Sequence, residues 1–258
     1  MASNINHAKN IKECDYYVPV EKVENLLANS KFSVGHLITA EAIPPNDCPI
    51  QGTISMYEMT NDIFGLMTNN HVMPRIDLQF VCGSTINFKG FGQLVLTPDD
   101  IRCVTTSEEL DATVIELKER CVSALKQRCA QFLKITSAQL NHQVAMVQYP
   151  YGLFCYDKGV IHEIIGKDLH YYIASDFGSS GSPILLWDLH AIGLHIGQDP
   201  NADKEIHGSM RIATHLPDIV TFHLEKRNSA IMYAFDIIMY LSNIQYKSII
   251  SREQYHLS

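Results

Sequence analysis

Residues 178–183 read Gly178-Ser179-Ser180-Gly181-Ser182-Pro183 and lead into an apolar run, Ile184-Leu185-Leu186-Trp187. A serine held between glycines on a tight turn has what a nucleophile needs. Glycine lets the backbone fold closely enough for two N–H groups to point at one oxyanion, and the hydroxyl is left at the tip. An ordinary Gly/Ser turn before a strand is spelled the same way, so the motif needs partners. Two upstream segments offer them. Phe64-Gly65-Leu66-Met67-Thr68-Asn69-Asn70-His71-Val72 is an apolar strand that ends in polar residues, with a histidine just beyond it. Leu110-Asp111-Ala112-Thr113-Val114-Ile115-Glu116-Leu117 brings an aspartate to the entrance of a β-branched run. Taken singly, a histidine such as His71 is more often structural, and an aspartate such as Asp111 is a common strand-start turn residue.

The order of the three is more informative than any one of them. His71, Asp111 and Ser180 follow the chain order of the chymotrypsin-type serine peptidases. Each local context is similar to its counterpart in that family: Thr68–Val72 to the histidine segment, Asp111–Leu117 to the aspartate segment, Gly178–Pro183 to the nucleophile loop. A fourth match, Val144-Ala145-Met146-Val147-Gln148-Tyr149-Pro150-Tyr151-Gly152, resembles the strand and turn that open the second barrel in the bacterial-type branch. That branch includes glutamyl endopeptidases and HtrA-like peptidases. The resemblance covers residues 45–215 and implies an all-β, chymotrypsin-like double six-stranded β-barrel, here with N- and C-terminal helical additions.

The resemblance also implies roles. A serine hydroxyl is a weak nucleophile at neutral pH, so His71 would take its proton and return it to the leaving amine. Asp111 would hold the useful imidazole tautomer and stabilise the imidazolium. The N–H groups of Gly178 and Ser180 would form the oxyanion hole. The substrate would be a protein or peptide, and no cofactor is required. Two departures are informative. Ser179 stands where secreted trypsin-like enzymes carry the aspartate that pairs with a freshly cut N-terminus, so activation by that ion pair is not expected. Val72, not a cysteine, follows His71, as suits a member without the disulfide there.

Specificity is read from the segment Ile192-Gly193-Leu194-His195-Ile196-Gly197. In glutamyl endopeptidases, and more loosely in picornaviral cysteine peptidases, a histidine here and a hydroxyl five residues before the nucleophile bind a P1 Glu or Gln. His195 and Ser175 match those positions, and an imidazole N–H with a hydroxyl can satisfy a carboxylate or an amide in a half-buried pocket. Ala174 takes the place of the carboxylate found in trypsin-specific enzymes, which argues against cleavage after Lys or Arg. An apolar or aromatic P1 is the alternative, with His195 a plain strand histidine. A peptidase-like chain that is catalytically silent and serves as a binding or effector module is a second alternative.

Composition bounds these readings. The chain has 258 residues, 46% of them hydrophobic, and a net charge of −8 from 20 Lys+Arg against 28 Asp+Glu. A core of some size can be buried at this length, while nucleic acid or an anionic membrane surface, which need a basic footprint, are not expected partners. The N-terminal decapeptide has no apolar h-region. Seven cysteines are scattered without a CxxC pair. Reduced thiols and a cytoplasmic setting follow as expectations, and no spacing among the cysteines and 12 histidines supports a metal site.

The elements that must position the site are short. A helix is predicted over residues 19–29, opened by Pro19. Turn-separated apolar segments then predict strands: a hairpin of Thr53–Met59 with Ile63–Thr68, then Ala112–Leu117, Val144–Gln148, Gly159–Ile165, Tyr171–Ser175, Pro183–Trp187 and Ala191–Gly197. Residues 118–140 turn helix-like and charged. The expected organisation is an extension with a helix (1–30), a first barrel with His71 and Asp111 (31–118), a linker (119–141), a second barrel with Ser180 (142–215) and a helical segment (216–258). Within the last, Pro217–Glu225 and Ser229–Ile244 have helical spacing. The apolar stretch to Tyr246 contains Asp236 and falls short of the ~20 clean residues of a membrane span. A packed helix, or one that contacts a partner or a second copy, is expected there.

Overall fold

The structure, a computed structural model, describes residues 17–42, 49–74, 78–198 and 210–229. Two compact units divide the chain between Val220 and Thr221. The first opens with helix α1 (Val20–Ser30), and the carbonyl of Pro19 accepts the N–H groups of Lys22 and Val23. Proline suits this position because its fixed φ is already helical and its missing N–H would have had no partner.

Strands β1 (Val34–Ala42), β2 (Pro49–Thr60) and β3 (Ile63–Thr68) follow, then a short helix α2 (Leu78–Cys82), and strands β4 (Thr85–Phe88), β5 (Gly92–Val95), β6 (Ile101–Ser107) and β7 (Ala112–Leu117). They run in hydrogen-bonded order β5-β4-β1-β2-β3-β7-β6, every pair antiparallel. The expected hairpin is β2–β3, closing at the Thr60↔Ile63 pair. Leu37, Ile54, Leu66, Ile86 and Ile115 form the centre of this barrel's core. Each side chain of this kind stabilises the fold by about 1.5–3 kcal/mol on burial.

Helix α3 (Glu119–Gln127) and strand β8 (Leu133–Ile135) lead to β9 (Gln143–Gln148), a 3₁₀ turn (Pro150–Gly152), β10 (Cys155–Ile165), β11 (Asp168–Tyr172), β12 (Pro183–Leu186), β13 (His190–Gln198) and β14 (Met210–His215). Strands β9-β10-β11-β14-β13-β12 pair in that order and β12 returns to β9, closing a six-stranded ring. Val144, Ile161, Leu169, Tyr171, Ile184 and Ile192 fill it. The two barrels share an edge: β8 pairs in parallel with β2 and with β13. The charged stretch 118–140 is therefore helical only in its first part. Cys121, Val122 and Leu125 bury one face of α3, after which Leu133 is drawn onto β2.

Residues 216–220 of the first unit and 221–229 of the second are helical, as the spacing of Pro217–Glu225 predicts. The rest of the apolar stretch to Tyr246, like residues 1–16, lies outside the described residues. Among the described residues no helix is long and apolar enough to cross a membrane. None of the five described cysteines is in a disulfide.

Candidate active site

His71 and Asp111 are brought together by two tight turns. After β3 the chain turns at Asn69, whose carbonyl takes the N–H groups of Val72 and Met73, and His71 is left with its side chain 47% exposed. Asp111 sits on the β6–β7 turn at φ 43, a left-handed conformation that costs a non-glycine residue about 1–3 kcal/mol. Hydrogen bonds hold it there. Asn69 Nδ2 donates to the Asp111 carbonyl (2.9 Å), and Thr214 Oγ1, from the second barrel, donates to the Leu110 carbonyl (2.9 Å). The carboxylate then accepts twice from His71: Oδ1 from the backbone N–H at 2.9 Å and Oδ2 from Nδ1 at 2.6 Å. A carboxylate can only accept, so Nδ1 carries the hydrogen and Nε2 is left with a lone pair.

The Ser180 turn is seated on β2. Thr53 N–H donates to the Ser180 carbonyl (2.8 Å), and Gly181 N–H donates to the His195 carbonyl (2.9 Å). Gly178 and Gly181 have φ +95 and +85, and a Cβ on Gly181 would collide with the Thr53 carbonyl oxygen. One buried hydroxyl, Thr53 Oγ1, ties the turn together: it donates to the Gly178 carbonyl (2.9 Å) and accepts the Tyr149 N–H (3.2 Å). The histidine turn is close by, since a Cβ on Gly52 would touch both the Val72 side chain (2.7 Å) and the Ser180 carbonyl (3.2 Å).

Two N–H directions follow from this turn. Phe177 O accepts Tyr151 N–H at 2.8 Å, and in a trans peptide the next N–H, that of Gly178, points the opposite way. Ser179 O accepts Ser182 N–H (3.1 Å) and Ser182 Oγ–H (2.6 Å), which turns the Ser180 N–H away likewise. Neither N–H has a partner among the described residues. The Ser180 hydroxyl donates to Ile196 O at 3.1 Å, and it makes no hydrogen bond to His71. His71 and Asp111 are thus joined, while the serine side chain is turned aside. Ser179 is spent within the turn: its N–H donates to Asp176 O, and its Oγ accepts the Asp176 N–H at 3.0 Å.

The remaining predicted residues line the segment after β11. The strand expected over Tyr171–Ser175 keeps its ladder only to Tyr172, because side chains take up the next backbone groups. Asp157 Oδ2 accepts the Ala174 N–H (2.8 Å) and Gln148 Nε2 donates to the Ala174 carbonyl (3.0 Å). On the other edge Arg211 donates Nε–H to Ile173 O and Nη2–H to Ser175 O, both at 3.3 Å. His195 is buried, with Nδ1 2.5 Å from the Tyr171 hydroxyl. Burial first, then the charges of Arg211 and His71, push its pKa down to about 3, so the ring is neutral. Burial holds the Tyr171 hydroxyl protonated, well above the ordinary tyrosine range. That hydrogen has no other acceptor among the described residues, so it goes to Nδ1, and Nε2 carries the His195 hydrogen.

Sequence reasoning missed Thr53, Tyr151, Tyr171 as a partner of His195, and above all Arg211. The alternation Met210, Ile212, Thr214 could have flagged β14, but tertiary neighbours alone reveal what Arg211 touches.

Two β-barrels that share an edge along β8 are the architecture of the trypsin-like serine-peptidase fold. Solved structures of that fold are similar to this chain. The inactive form of a Ser-to-Ala mutant of Rv3671c from M. tuberculosis superposes with a TM-score of 0.56 at 15% identity, covering 83% of this chain and 95% of that one. A serine endoprotease from Yersinia pestis gives 0.54 at 12% identity over 82% of this chain and 67% of that one. A Ser-to-Ala variant of the HtrA-type protease AlgW, with a tripeptide, gives 0.56 at 14% identity over 83% of this chain and 64% of that one. No protein-family model and no curated protein sequence matches the chain.

Proposed function

We propose that the chain is a serine endopeptidase in which Ser180 is the nucleophile, His71 the general base and Asp111 its orienter. The observation that carries this reading is the His71–Asp111 pair at 2.6 Å close to a turn whose Gly178 and Ser180 N–H groups have no partner among the described residues. For reaction the Ser180 hydroxyl leaves Ile196 O for His71 Nε2, which takes its proton as Oγ bonds to the substrate carbonyl carbon. The carbonyl oxygen becomes an oxyanion held by the Gly178 and Ser180 N–H groups. The C–N bond then breaks as His71 returns the proton to the amine, and water repeats the sequence on the acyl-enzyme. The neutral His195, whose Nε2 carries the hydrogen, and the Ser175 hydroxyl support a P1 Glu or Gln. Ala174 supplies no anion for Lys or Arg. Ser179, bonded within its own turn, supports competence without an N-terminal ion pair, and the scattered cysteines support an intracellular setting.

The position of the Ser180 hydroxyl on Ile196 O favours one second reading, a silent peptidase-like binding module. Both are tested together. A fluorophosphonate probe should label the wild-type chain, and Ser180→Ala should lose labelling and about a million-fold in kcat. Absence of labelling in the wild type, or cleavage by Ser180→Ala within tenfold of it, would overturn the catalytic reading.

A further inference from the structure

Arg211 has unspent hydrogen-bonding capacity at the wall of the proposed S1 pocket. It lies on β14, which pairs with β11 on one side and β13 on the other, so its neighbours include both Ser175 and the His195 strand. A guanidinium has five N–H donors. Two serve Ile173 O and Ser175 O, and the other three have no partner among the described residues. Those two acceptors are neutral, so neither of them offsets the positive charge. Among the described residues no ion pair engages it. Asp176 feels its charge, but that carboxylate is committed to the Tyr151 hydroxyl (2.7 Å) and the Phe177 N–H (2.8 Å). Asp157 is committed to Ala174 on the opposite edge of the segment.

His195 cannot by itself distinguish glutamate from glutamine. A neutral Nε2–H donates equally well to a carboxylate oxygen and to an amide oxygen. Discrimination by charge has to come from a group that is always charged, and a guanidinium is one. We propose that Arg211 is the residue that makes S1 select an ionised P1 carboxylate over the matching amide, with His195 and Ser175 completing the hydrogen bonds. This inference rests on the peptidase reading above and narrows its P1 preference from Glu or Gln to Glu.

The test uses the full chain and two peptide substrates that differ only in P1 Glu or Gln. Wild type should favour Glu in kcat/KM by about 10- to 100-fold, the size of one charge-assisted hydrogen bond, and the ratio should fall as salt is raised. Arg211→Gln and Arg211→Met should lower kcat/KM for the Glu substrate about 10- to 100-fold more than for the Gln substrate, bringing the ratio towards one. Arg211→Lys, which keeps the charge without the fork, should retain a Glu preference. A wild-type ratio near one, a ratio insensitive to salt, or neutral variants that keep the wild-type ratio would each overturn the proposal, and the first two need no variant to fold. Failure of the underlying reading looks different: the wild-type chain then neither cleaves nor reacts with the fluorophosphonate, and the proposal falls with it.

Discussion

Two of the histidines with a hydrogen-bonded Nδ1, His71 and His195, separate by what faces the ring. His71 faces a carboxylate, is half exposed, and presents a lone pair at Nε2. His195 faces a phenol, is buried, and presents a hydrogen. The second arrangement has a consequence for stability. Folded, His195 stays neutral to about pH 3, while in the unfolded chain it titrates near 6.5. Between those values the unfolded chain holds the extra proton, so stability falls as pH falls, by up to about 1.4 kcal/mol per pH unit from this group. His195→Gln should flatten the dependence of unfolding free energy on pH between about pH 6 and about pH 4, read by urea denaturation. A slope identical to wild type would show that His195 takes up its proton in the folded state.

At the scale of elements, the nucleophile turn is held by a strand of the other barrel. Thr53 contributes its N–H and its hydroxyl to that junction, while its carbonyl accepts Thr68 Oγ1 of its own barrel at 2.8 Å. Thr53→Val keeps the shape but leaves the Tyr149 N–H and the Gly178 carbonyl without their buried partner, at about 1–3 kcal/mol each. The expected outcome is a lower melting temperature with a fall in kcat larger than any rise in KM. Thr53→Ser, which restores the hydroxyl, should recover most of both. Equal kcat in wild type and Thr53→Val would show that the turn keeps its shape unaided. The run 53–59 reads as a strand from apolar Ile54, Met56, Tyr57 and Met59 interspersed with Thr53, Ser55 and Glu58. Its burial on both faces is intelligible only once β3 and the Ser180 turn are in place.

At the scale of the molecule, the two barrels meet along β8 and across the site itself, where Thr214 reaches Leu110 and Ser180 reaches Thr53. The turn around Ser180 is closed by its own residues and by β2, without an ion pair at Ser179. An N-terminally tagged chain should therefore cleave peptide and react with fluorophosphonate at the rate of the same chain after tag removal. Activity that appears only on removal would show that a new N-terminus is needed to order the turn.

Local pattern determined a good deal here. Strand β7 was legible to the residue because a β-branched run bounded by Asp111 and Lys118 has one easy conformation. The order His71, Asp111, Ser180 named the catalytic candidates through its resemblance to the chymotrypsin-type peptidases, each of the three lying in a short local motif. Strand β8 was not legible: three residues are too short to show a period, and they extend only because β2 and β13 flank them. The end of β11 at Tyr172 was equally hidden, since it depends on Arg211 and Asp157 from distant strands. The tautomer of His195 and the unspent donors of Arg211 belong to the same class. They are properties of neighbours that lie far apart along the chain, and only the closed second barrel brings those neighbours together.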